Sequence, residues 1–119
     1  MKKVINGALY NTDTAKELAY IEPAGYNRDL YYFRETLYRT KSGKFFLHGE
    51  GDGLSRYGEW HGNSGGWGEK IIPFTLDEAK RWAENNLTGD EYIEIFGEPE
   101  EASDSKESLN ISISAKCKY

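Results

Sequence analysis

Cysteine is nearly absent from this 119-residue chain, and the single Cys117 excludes an internal disulfide and a thiolate zinc cage; both exclusions fit a reducing compartment. Long apolar runs are missing too. No stretch approaches the roughly 18 residues of a membrane span, and no charged-then-apolar leader opens the chain, so neither insertion nor secretion is expected and a cytoplasmic protein is. With 119 residues there is room for one domain with a real core and not for two. Histidine occurs twice, at His48 and His61, which limits acid–base chemistry to a few positions.

Positive charge is deficient in one segment only. Residues 1–87 carry twelve basic and twelve acidic groups, residues 88–108 carry Lys106 against eight acids, and residues 109–119 add Lys116 and Lys118, for a net charge of −5. An acidic protein is repelled by phosphate backbones, so direct nucleic-acid binding is disfavoured and basic partners are favoured. The plainer use of such a segment is solvation.

What the chain does have is a central hairpin. In Leu30–Glu50 two alternating runs flank Lys41-Ser42-Gly43, a type I turn closed by a glycine bulge, and this register sets Thr40 against Lys44 and Leu37 against Leu47. Phe33, Leu37, Phe45 and Leu47 then share a core face; Tyr32, Arg34, Thr36, Tyr38, Phe46, His48 and Glu50 share a mixed one. That mixed face is the candidate site, although cross-strand pairing of Tyr38 with Phe46 and Arg34 with Glu50 would account for it without a ligand.

Around the hairpin, Lys2–Tyr10 reads as a small hairpin about Asn6-Gly7. Thr14 to about Ala19 reads as a short capped helix with Ala15, Leu18 and Ala19 on one side. Gly49 to Gly68 holds eight of the thirteen glycines and reads as an irregular loop. Leu54–Trp60 is compatible with one or two helical turns, and Tyr57, Trp60 and Trp67 are its anchors. The glycines match neither a phosphate loop nor a dinucleotide fingerprint. Trp67–Phe74 reads as a further strand with Pro73 near its end. Thr75 with Glu78, and Thr88 with Glu91, are capping boxes that open a helix to about Leu87 and a shorter one ended by Gly97. Glu98–Ser108 is an acidic linker. Leu109–Tyr119 alternates as a strand that should pair with a sheet edge in this molecule or, by exchange, in a homodimer.

The expected fold class is therefore α+β: a small antiparallel sheet of about four to five strands, drawn from both hairpins, Trp67–Phe74 and the C-terminal strand, with a main helix at about 76–87 packed on it. The expected organisation is a compact domain over 1–97, a linker over 98–108 and the strand over 109–119. Trp82 and Leu37 should be buried together.

Four phrases, KKVINGALYNTDTAKELA, ETLYRTKSGKFFLHGEG, EKIIPFTLDEAKRWAENNL and DEYIEIFGE, together resemble a small module of phages, plasmids and conjugative elements of Gram-positive and gut bacteria that includes type II anti-CRISPR proteins. The resemblance covers residues 1–98 and leaves the tail from Ala102 unmatched. It implies a compact α+β domain that binds the RNA-guided DNA nuclease of type II CRISPR systems in a bacterial cytoplasm and blocks guide-RNA loading, DNA binding or cleavage. It carries over no catalytic residue.

On that reading Asp90, Glu91, Glu94, Glu98, Glu100 and Glu101 supply charge toward a basic nucleic-acid channel, and Tyr32, Arg34 and Tyr38 supply anchors. Tyr20, Tyr26 and Tyr31 enlarge the tyrosine cluster around the first long strand, where half-buried strand formers are the simpler explanation. Two alternatives stand beside it. One is a ribonuclease acting on guide RNA, with His48 as general base beside Glu50 and Arg34; the other is a host-factor adaptor of a mobile element without a CRISPR connection. No cofactor is expected, and His48, Glu50, Asp52 and His61 lack the spacing of a regular metal-ligand frame.

Overall fold

The computed structural model describes residues 1–23, 30–61 and 64–102. Its centre is a four-stranded antiparallel sheet in the order β3-β4-β5-β8, formed by Lys16–Ile21, Phe33–Arg39, Phe45–Gly51 and Gly68–Phe74. Two small two-stranded sheets accompany it, β1 with β2 (Lys2–Ile5 and Ala8–Asn11) and β6 with β7 (Glu59–His61 and Ser64–Gly66). Helices α1 (Leu76–Asn86) and α2 (Gly89–Phe96) complete an α+β fold. Among the described residues no helix is long and apolar enough to cross a membrane.

The central hairpin has the register its turn dictates. The Gly43 N–H donates to Thr40 O at 2.9 Å, Gly43 takes φ 94°, and Leu37 lies opposite Leu47. The inner face carries Leu37, Phe45 and Leu47, buried against Ala79, Trp82 and Ala83 of α1, with Tyr92 and Phe96 of α2 at the margin. Trp82 and Leu37 thus share one core. Both helices start at complete capping boxes: the Thr75 hydroxyl accepts from the Glu78 N–H while Glu78 accepts from the Thr75 N–H, and Thr88 with Glu91 repeats the exchange. Pro73 is tolerated because β8 is an edge strand.

Four expectations need correction. Thr14–Ala19 is not helical; it enters β3, whose Ala19 and Ile21 pair with Leu37 and Glu35 of β4. Without β3 the edge of β4 would be bare beside a buried Leu37, and six residues of modest helix propensity cannot outweigh a full strand of ladder bonds. A bulge between Glu17 and Ala19 lets Leu18 also reach the core. The N-terminal hairpin does not extend the main sheet. Its I′-type turn forms, with Asn6 at φ 52° and Gly7 at φ 80°, but the pair lies across the outer face of the sheet. Phe46, expected on a mixed face, is consequently wholly buried there beneath Tyr10 and Ile5, next to Ile71. Finally, Leu54–Trp60 forms turns and enters β6 rather than a helix; in the glycine-rich stretch residues 52–58 are irregular, as expected, whereas other parts of it belong to β5, β6, β7 and β8. Its glycines serve close approach: a Cβ on Gly49 would collide with the Tyr57 ring. The Leu109–Tyr119 strand and most of the 98–108 linker lie outside the described residues, as do Tyr26 and the side chain of His61.

Candidate functional site

The two faces of the central sheet hold carboxylates in opposite circumstances. On the helix side alternation places Glu35 between Phe33 and Leu37, and it is buried at 3% exposure. Three donors meet it: the Trp82 indole N–H at 2.9 Å, the Tyr57 hydroxyl at 2.6 Å and the Arg56 guanidinium at 3.0 Å. A buried carboxylate with three donors, one of them cationic, is satisfied, and it ties β4, α1 and the loop after β5 to one point. Burial first, then the hydrogen bond to Glu35, pushes the Tyr57 hydroxyl pKa well above the usual tyrosine range.

On the outer face the ladder sets residues in rows. Tyr38, Phe46 and Pro73 form one row, Thr36, His48 and Ile71 the next, and Arg34, Glu50 and Glu69 the third. The first row is packed: Tyr38 stacks on Phe46 at 5.1 Å between centroids, and Tyr10 meets Phe46 edge-on at 5.4 Å. Burial is also the main reason the Tyr38 hydroxyl titrates above its ordinary value.

The third row is open. His48 Nε2 and Glu69 Oε1 are 2.8 Å apart, the His48 side chain nearly buried and that of Glu69 43% exposed. Glu50 lies directly opposite Glu69, and ligand atoms of His48, Glu50 and Glu69 all fall within 4.8 Å of one another. Arg34, although opposite Glu50, lays its guanidinium over the Tyr20 ring at 4.0 Å, and Glu50 makes no ion pair with any described residue. Beyond this row Tyr32 stacks on Trp67 at 6.1 Å and donates its hydroxyl to Glu22 at 2.7 Å, the bond that chiefly raises its pKa.

Around the outer edge of β3, which pairs with no strand among the described residues, the outer face meets α2. A groove there is lined by Glu17, Tyr20, Glu22, Glu91, Glu94 and Ile95, four carboxylates without a basic residue. The structure therefore joins Glu91 and Glu94 to Tyr32 and Arg34 through Glu22 and Tyr20. Asp90 is exposed in the first turn of α2, and Glu98, Glu100 and Glu101 are exposed after its end. Among the expected contact residues, Tyr38 packs on Phe46, Tyr32 stacks on Trp67 and bonds Glu22, Arg34 lies over Tyr20, and Glu91 caps α2.

Sequence reasoning missed Glu35, Glu69, Glu17 and Glu22. Glu35 was visible by parity, as an acid in step with Phe33 and Leu37. Glu69 depended on pairing β8 with β5 across the glycine-rich stretch, which no local pattern announces.

Compared with protein-family models, curated proteins and solved structures, the chain matches none.

Proposed function

We propose that the protein is a stoichiometric, non-enzymatic inhibitor in the bacterial cytoplasm that binds the nuclease of a type II CRISPR system and occupies part of its basic nucleic-acid channel. The observation that carries this reading is the acidic groove between the β3 edge and α2, continued by Glu98, Glu100 and Glu101. From Thr88 to Ala102 the chain presents six acids and no base. A channel built to hold RNA and DNA by their backbones attracts such a surface through the same field. The outer edge of β3, which pairs with no strand among the described residues, adds main-chain groups to which an extended segment can bond. Charge sets mainly the association rate, and the exposed Tyr20, with Tyr32 bonded to the neighbouring Glu22, sets the lifetime of the complex.

The ribonuclease alternative draws less support from the same face. A general base acting on RNA must meet a phosphodiester, and His48 faces two carboxylates while Arg34 rests on Tyr20. The adaptor alternative shares the groove and differs only in its partner.

The test is a pull-down of the nuclease by the tagged protein, with and without guide RNA, followed by DNA cleavage at rising salt. The expected result is a complex that weakens with salt and cleavage that stops at stoichiometric inhibitor. Reversal to lysine at Glu94, Glu98 and Glu101, which spares the Glu91 cap, should slow association. Absence of a complex at low salt with untouched cleavage at excess inhibitor would overturn the CRISPR reading. An intact complex after charge reversal would remove the electrostatic mechanism alone.

A further inference from the structure

We infer that His48, Glu50 and Glu69 form a binding site for a divalent transition-metal ion on the outer face of the sheet, a site independent of the inhibitor reading. His48 and Glu50 are two residues apart on β5 and so project from the same face, while Glu69 faces them from β8. All three stand on paired strands, which hold donor atoms more firmly than loops do.

Two independent observations point to a cation. The first is geometric. One imidazole nitrogen and two carboxylate oxygens lie within 4.8 Å of one another, whereas ligand atoms around a bound zinc stand roughly 3–3.5 Å apart for bonds of about 2.0–2.2 Å. The Glu69 side chain is 43% exposed and so has room to rotate toward the shorter spacing. The second is electrostatic. Like charges directly opposite on neighbouring strands are unfavourable, yet Glu50 and Glu69 occupy such a pair, and the cation best placed to neutralise Glu50, Arg34, is engaged on Tyr20. Glu35 shows how the same fold treats a carboxylate whose role is purely structural, by surrounding it with three donors. Glu50 receives none from any described residue.

The donor set selects the class of ion. An imidazole favours zinc and its first-row neighbours over magnesium and calcium, and two carboxylates extend the range to manganese. Three protein ligands leave positions for water, and the exposure of Glu69 keeps that side open to solvent. On binding, the ion takes the place of the proton shared between His48 Nε2 and Glu69, which is released to solvent or carried on His48 Nδ1, and lies between the two carboxylates, removing their repulsion.

The test uses the full chain with the metal salts alone. Calorimetric titration with zinc chloride should give a saturable site at one ion per chain that magnesium chloride does not compete for. Glu50→Gln, which keeps the size of the side chain, should weaken it by roughly tenfold or more, His48→Gln similarly, and His61→Gln should leave it unchanged. In the wild-type protein, substoichiometric manganese should broaden the amide resonances around residues 48, 50 and 69 before any others, a readout that needs no variant. Absence of saturable binding at millimolar zinc would overturn the site, as would binding that survives both Glu50→Gln and His48→Gln, or manganese broadening centred elsewhere.

Discussion

Glu35 and Glu50 occupy neighbouring strands of one sheet, on opposite faces, and are treated in opposite ways. Glu35 is enclosed and receives an indole N–H, a phenol and a guanidinium; Glu50 is half-open and faces another carboxylate. The contrast separates two uses of a charged residue. A buried charge that is fully bonded fixes geometry, because removing either side strands polar groups away from water. A charge left opposite its like is not explained by folding, and it marks the face on which binding should be sought. The helix side of this sheet, together with the part of the outer face that the β1–β2 hairpin covers at Phe46, is thus what holds the fold, and the rest of the outer face around Arg34, Glu50 and Glu69, with the acidic groove around the β3 edge, is the part free to recognise something else.

The most severe way to break the comparison is to remove the core that encloses Glu35. Trp82→Ala should cost about 3–5 kcal/mol through the cavity it leaves, and it also deprives Glu35 of a donor. Denaturant unfolding would report it, and a midpoint equal to wild type would mean that α1 does not pack on Leu37. Gly49→Ala is next. Its methyl group would collide with the Tyr57 ring, and overpacking of this kind costs roughly 1–3 kcal/mol. Far-from-wild-type tyrosine fluorescence with a lowered midpoint is expected; full stability would show that the ring is not seated there.

Alkaline titration sharpens the same point without disturbing a side chain. The Tyr57 pKa is raised in the folded protein, so above about pH 10 the unfolded chain loses a proton that the folded chain keeps, and stability falls as pH rises. One such group gives a slope of about 1.4 kcal/mol per pH unit, and its contribution is intact below that range. Tyr32 and Tyr38 shift the same way. Tyr57→Phe should flatten the alkaline decline, and an unchanged decline would assign it to other groups. Smallest of all is Arg56→Ala. The Arg56 side chain is 60% exposed although that of its partner Glu35 is 4% exposed, so solvent screens the guanidinium while Trp82 and Tyr57 still bond the carboxylate, and the loss should be about 1 kcal/mol. A larger loss would promote Arg56 from accessory to principal partner of Glu35.

Legibility in the sequence followed the range of the interactions. The turn at Lys41-Ser42-Gly43 determined the β4–β5 register, and with it the Leu37–Leu47 and Arg34–Glu50 pairs, because a three-residue loop leaves one pairing open. Thr75 with Glu78 and Thr88 with Glu91 announced both helices, since capping is a contact over three residues. Thr14–Ala19 reads as a short helix because its local pattern suits one, and only the vacant edge of β4 makes Lys16–Ile21 a strand. The buried Phe46 was misplaced for a related reason: nothing near it in sequence tells that the Asn6-Gly7 hairpin folds over it. The site was legible in halves. His48, Glu50 and Arg34 were placed on one face by alternation, whereas Glu69 joins them only through the β5–β8 ladder, and Glu17 and Glu22 join α2 only through the β3 edge.

Unfolding Glu35→Gln and Glu50→Gln side by side tests the division between the two faces most directly, because both changes remove one negative charge and almost no volume. Glu35→Gln should lower stability by roughly 1–3 kcal/mol, since a neutral amide cannot accept as strongly from Trp82, Tyr57 and Arg56. Glu50→Gln should leave stability equal to or above wild type, because it relieves the opposition to Glu69. Equal destabilisation by the two substitutions would contradict the account, for it would make Glu50 as much a part of the fold as Glu35.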